Sequence, residues 1–133
     1  MDLKDLKPKS DTVEVILVHP SNYETLFNPD GTEMSIVVHA PHSKTYKEAV
    51  HDQQNRRIQK MQKGKKTSTF SAEDLENDGI TLLAKVTKEW NITYGGSNPK
   101  LTVENAKEVY SDMFWIREQI EASVSDSLDF TTA

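Results

Sequence analysis

The sequence predicts an α+β fold: a small N-terminal antiparallel β-sheet of about three strands, then a C-terminal bundle of about four helices. Three observations point there. "VEVILV", residues 13–18, is β-branched and apolar, as a strand buried on at least one face must be. Asn28-Pro29-Asp30-Gly31 presets proline for the first central position of a turn and puts glycine where φ turns positive, between "ETLF" and "EMSIVV". Beyond Pro41, Ser/Thr-x-x-Asp/Glu patterns recur ahead of segments with helical periodicity.

Taken in order, residues 1–11 alternate Lys and Asp around Pro8 and read as a flexible tail. Strands are expected at 13–18, 24–28 and 33–39, within a β region spanning 12–41. A sheet of that size needs cover on its apolar face. The helical region runs over 45–126. Thr45-x-x-Glu48 is a capping box for a helix at about 46–63, whose apolar stripe (Tyr46, Ala49, Val50, Ile58, Met61) is thin and which Gly64 stops. A polar linker, "KKTSTF", follows.

Ser71-x-x-Asp74 caps a stronger helix at about 72–90, with Leu75, Leu82, Leu83, Val86 and Trp90 on one face. Gly79 falls on that same face, at a cost of roughly 1 kcal/mol against alanine, which close packing would explain. Thr102 caps a third helix with Glu104 in its first turn and Val103, Ala106 and Tyr110 facing inward. A turn near Ser111-Asp112 leads into a fourth helix at about 113–125, striped by Ile116, Ile120 and Val124, and residues 127–133 form a tail. All 133 residues make one domain, without internal repeats.

Composition narrows the function. Hydrophobic residues are 35% of the chain, so the core is lean. There is no cysteine, which excludes disulfide scaffolds and thiolate chemistry. No apolar stretch is long enough to span a membrane, and the N-terminus lacks a signal-peptide core. Residues 1–70 carry 11 Lys/Arg and 9 Asp/Glu, a net of +2, whereas residues 71–133 carry 5 and 12, a net of −7. That asymmetry favours head-to-tail contact between copies, hence a homo-oligomer.

No nucleophile elbow, phosphate-binding loop or dinucleotide fingerprint occurs, so a non-enzymatic role without cofactor is expected. The four histidines, His19, His39, His42 and His51, lack metal-ligand spacing. Two constellations remain as candidate partner-binding surfaces. One is Met113, Phe114, Trp115 and Ile116, four bulky neighbours that at 100° per residue cannot all face one way on a helix. They either plug the last helix into the core or leave apolar surface for another protein. The other is the basic run led by Arg56, Arg57 and Lys60 and continuing to Lys66. It matches phosphate backbones in charge, but no aromatic residue interleaves it for base stacking, which argues against nucleic acid as its ligand.

The segment "WNITYGGSNPKLTVENAKEVYSDMFWIREQIEASVSDSLDF", residues 90–130, resembles the closing segment of tail assembly chaperones of long-tailed, lambda-like bacteriophages. The shared pattern is a tryptophan ending a helix (Trp90), a glycine loop (Gly95-Gly96), a helix start at Thr102 to Ala106, then Tyr110. An aromatic-aliphatic junction at Phe114 to Ile116 and an acidic-aromatic tail at Asp126 to Phe130 complete it. The resemblance implies a protein of the infected host's cytoplasm, absent from the finished virion. It would bind the tape measure protein and keep its hydrophobic helices soluble while the tail tube protein polymerises around it. Many such chaperones also have a longer, frameshifted form. Two other functions fit the sequence: a small nucleic-acid-binding or regulatory protein using the run 56–66, and a minor tail or connector component of the virion.

Overall fold

A computed structural model of the chain describes residues 2–6, 10–62 and 71–127. It is α+β, with a three-stranded antiparallel sheet and four helices. After a 3₁₀ turn at Leu3–Leu6 come β1 (Thr12–Ile16), β2 (Ser35–His39), α1 (Lys44–Gln62), α2 (Ala72–Val86), β3 (Thr87–Asn91), α3 (Val103–Asp112) and α4 (Phe114–Ser127). The strand order is β1-β2-β3, with Val15 opposite Ile36 and Ile36 opposite Trp90.

The sheet is therefore not confined to the N-terminal region. Its third strand follows α2, at residues expected to finish a helix. Two forces end that helix early. Val86-Thr87 begins a stretch with β-forming side chains, and β2 offers a free row of backbone donors and acceptors to whatever lies beside it. Thr87 sits at the junction, its hydroxyl donating to the Leu83 carbonyl at 2.8 Å.

The segment 24–28, expected as a strand, makes isolated bridges instead, Val18 to Thr25 and Phe27 to Glu33. Its backbone caps the end of the β1–β2 pair. Leu17 N–H donates to the Met34 carbonyl (2.9 Å), Met34 N–H to the Leu26 carbonyl (2.8 Å), and Leu26 N–H to the Leu17 carbonyl (3.0 Å). Three chain segments share one closed set of bonds, so 24–28 pairs fully with neither of the other two.

The turn between them forms as the sequence predicts. Gly31 has φ +88° and donates to the Asn28 carbonyl at 2.9 Å. Two bonds from Thr32 hold the Asp30 carboxyl below its usual pKa. Asn28 is buried and ties the turn to the distant end of β3: its Nδ2 donates to the Asn91 carbonyl (3.2 Å), and its Oδ1 accepts from Thr93 Oγ1 (2.6 Å).

Helix starts follow their caps. Ser71 and Asp74 form the reciprocal box, and Thr102 Oγ1 accepts from Asn105 N–H at 3.1 Å. At α1 the cap is Ser43, which is buried and accepts from Tyr46 N–H at 3.2 Å, rather than Thr45. The expected stop at Gly64, the linker after it and the tail beyond 127 lie outside the described residues.

One sheet face and three helices enclose the core. Val13 and Val15 of β1 with Leu17 just after it, and Ile36 and Val38 of β2 with Ala40 just after it, meet Ile80, Ala84, Val109, Tyr110, Ile116 and Ile120. Just beyond β1, the outer side of the chain is met by a side chain at Val18. Gln119 of α4 donates from Nε2 to the Val18 carbonyl (2.8 Å) and accepts at Oε1 from Val18 N–H (3.0 Å), standing in for a neighbouring strand.

Tyr110, fully buried, anchors α3 to the α2–β3 junction. Its hydroxyl shares a 2.7 Å hydrogen bond with Thr87 Oγ1, and its ring meets Trp90 edge to face, 6.5 Å between centroids. Burial pushes its pKa up to about 12. Because the folded value lies above the ordinary one of about 10, the contribution to stability is complete below about pH 10 and is lost as pH rises through about 12. Tyr110→Phe is expected to cost about 1 kcal/mol at neutral pH. The variant should also flatten the alkaline loss of stability that urea unfolding measures for the parent protein.

Candidate functional site

The four neighbours at 113–116 radiate from a corner, because the chain breaks between α3 and α4 at Met113 (φ −114°, ψ 73°). Met113 N–H still bonds the Val109 carbonyl, while the Met113 carbonyl accepts from Ile116 N–H at 3.0 Å. Ile116 turns inward and is buried. Met113 and Trp115 pack half-buried against the core. Phe114 alone points out, 60% exposed. The corner is braced by the Tyr94 hydroxyl, which donates to Asp112; that bond raises the Tyr94 pKa to about 12.

Of the basic candidates, Arg56 is exposed on α1 and Arg57 is engaged within the chain. The Arg57 guanidinium bonds Asp78 Oδ2 of α2 from Nη2 (2.8 Å) and Nε (3.1 Å), and Gln53 Nε2 donates to the Asp78 carbonyl at 2.7 Å. Lys60 belongs to α1, but its side chain lies outside the described residues. Around this clamp Arg56, Lys85 of α2 and Lys107 of α3 border a hollow of about 240 Å³, so helices distant in sequence bring cations together.

Of the histidines, His42 pins the start of β1 from beyond the end of β2. Its Nε2 lies 3.1 Å from the Ser10 carbonyl and 3.3 Å from Asp11 Oδ1. His19 Nδ1 accepts from Ser21 N–H within a tight turn. That turn leads to Tyr23, a non-glycine residue at φ 59° whose ring is exposed. Among the described residues no three His, Asp or Glu side chains group as metal ligands, and no helix is long and apolar enough to cross a membrane.

A further feature is a groove of about 590 Å³ between α2 and α4, running to the end of β2 and the first turn of α1. Its floor is Val38, Val86 and Ile120, and Leu82, Leu83 and Val124 form its sides. Tyr46 closes one end. Arg117 spans the cleft, donating from Nη2 to Glu76 Oε1 at 3.2 Å. Its Nε is buried without an acceptor among the described residues. Glu121 lines the groove from α4, exposed.

The groove exists where α2 presents Gly79. A Cβ built there would meet nothing within 4 Å, so the close packing expected of this glycine is not made among the described residues. The sequence signals that bear on the groove were the glycine interrupting the α2 stripe and the Ile116, Ile120, Val124 stripe on α4. Neither says that the two helices stand apart.

Because Phe114 is exposed and Ile116 buried, their truncations separate surface from core. Phe114→Ala is expected to change stability by less than about 0.5 kcal/mol, and Ile116→Ala to cost about 2–5 kcal/mol, both measured by urea unfolding. No family model matches the chain, and neither does any curated protein or solved structure.

Proposed function

We propose that this chain is a non-enzymatic tail assembly chaperone of a long-tailed bacteriophage. It binds the tape measure protein in the host cytoplasm, keeps its apolar helices from aggregating while the tail tube protein polymerises, and stays out of the mature virion. The observation that carries this is the apolar groove between α2 and α4, a concave aliphatic surface of about 590 Å³ with the chemistry that accepts one face of a helix. The pattern of residues 90–130 supports it, and so does the exposed Phe114 at the head of α4.

The basic front of the chain and its acidic back provide for self-association. Light scattering at tens of micromolar in low salt is expected to show species larger than a monomer, shrinking as salt is raised. The decisive experiment is co-expression with a tape measure protein. The two should co-purify, and the client should remain in the soluble fraction only when this chain is present; a client that precipitates regardless removes the proposal.

A second function is favoured by a separate observation, the convergence of Arg56, Lys85 and Lys107 around the α1–α2 clamp. Cations from three helices form an anion site, which would suit a small nucleic-acid-binding or regulatory protein. A gel shift at low salt that weakens steeply as salt rises supports it. No shift at the lowest salt eliminates it.

A further inference from the structure

The groove between α2 and α4 has more chemistry than an apolar cleft needs. Its interior is aliphatic, yet Glu76 and Glu121 stand on its two walls, Glu76 on α2 and Glu121 on α4. Arg117 neutralises one of these acids, which leaves Glu121 exposed without an ion-pair partner among the described residues and His39 facing the same space.

Gly79 is the second clue. Glycine inside a helix is unfavourable, and the usual compensation is close approach of another backbone. Here none of the described residues approaches: the position is exposed, helical, and open for 4 Å around a Cβ. The space it leaves is the groove itself. A residue kept small with nothing packed on it fits an occupant that comes from outside.

We infer that the groove seats an amphipathic helix of another protein, apolar on one face and carrying Lys or Arg beside that face. The apolar stripe lies over Leu82, Leu83 and Val124, and its backbone passes close to Gly79. A flanking cation meets Glu121. The proposal rests on the chaperone function for the source of that helix, but the binding chemistry is independent of it. Charge decides the choice of partner. The C-terminal half that builds both walls has a net charge of −7, so a cationic helix is drawn to it and an anionic one repelled.

The test uses the full chain and a labelled synthetic helix of about 18 residues, five turns long, with leucine at i, i+3, i+4 and i+7 and lysine elsewhere. Controls are a scrambled peptide of the same composition and a version with glutamate for lysine. Fluorescence anisotropy should show the striped cationic peptide binding at least about tenfold more tightly than either control.

Gly79→Leu should fill the groove and weaken binding by about tenfold or more, while its melting temperature stays level or rises because a helical glycine has been removed. Glu121→Lys should weaken binding of the cationic peptide and improve that of the anionic one. Equal binding by Gly79→Leu, or by the scrambled peptide, overturns the proposal. So does binding that appears only after truncation at Ser127, which would make residues 128–133 the occupant. A self-association abolished by Gly79→Leu without any peptide also overturns it, since a second copy would then fill the site.

The two proposals separate cleanly. If Gly79→Leu still solubilises the tape measure protein, the groove falls and the chaperone function stands. If the peptide binds as expected but no tape measure protein is held, the reverse holds.

Discussion

The pairing of β2 with β3 is the constraint on which the rest of the structure depends. Ser35–His39 is the central strand, and its second neighbour, Thr87–Asn91, arrives only after α1 and α2 have been traversed. Without β3 the sheet would be a two-stranded ribbon, which is marginal in water. With it, Ile36 lies opposite both Val15 and Trp90, and the inner face becomes wide enough to carry α2, α3 and α4. The same pairing fixes where α2 must end, because Thr87 belongs to both elements. Thr87 in turn holds the Tyr110 hydroxyl and so sets the position of α3. Gln119 then closes the far edge by bonding both backbone groups of Val18.

Local chemistry was legible in the sequence wherever a few adjacent residues decide the outcome. The Asn28–Gly31 turn, the Ser71–Asp74 box, the Thr102 cap and the break before Phe114 all formed, since each depends on side chains bonding backbone within a few positions. What was not legible depends on distant partners. Leu75 through Trp90 fit one helical face, and nothing local says that Trp90 would be taken by Ile36 instead. Segment 24–28 has strand composition, but Leu17 and Met34 bond each other and Leu26 in a closed set that leaves it no ladder. Ser43 displaced Thr45 as cap because its backbone N–H, bonded to the Ala40 carbonyl, fixes the residue where its buried hydroxyl meets the Tyr46 N–H.

The candidate surfaces divide in the same way. The crowding of 113–116 meant that the four side chains could not face one way, and the structure buries Ile116 and leaves Phe114 outside. Charge alone marked Arg56 and Arg57, yet Arg57 serves the α1–α2 joint through Asp78. The groove was hidden because it is an absence: it depends on the distance between two helices and on the missing side chain of Gly79. Periodicity reports which faces are apolar and is silent on how far apart they stand.

The attachment of α1 has a consequence for that groove. α1 packs chiefly on α2, and its described contacts there are polar, the Arg57–Asp78 pair and the Gln53 bond to the Asp78 carbonyl. Ala49 and Val50 are only half-buried and Ile58 is exposed. A helix held in this way gains little from area burial, and partly exposed ion pairs contribute modestly. It therefore belongs to the low-stability end of the fold, where opening costs least. Tyr46, which closes one end of the groove, stands on the first turn of this helix, while the floor of Val38, Val86 and Ile120 belongs to the core. The groove thus has a buried base, walls on α2 and α4, and one end carried by a helix secured mainly by polar contacts. Such an end can yield to helices of different length without disturbing the sheet.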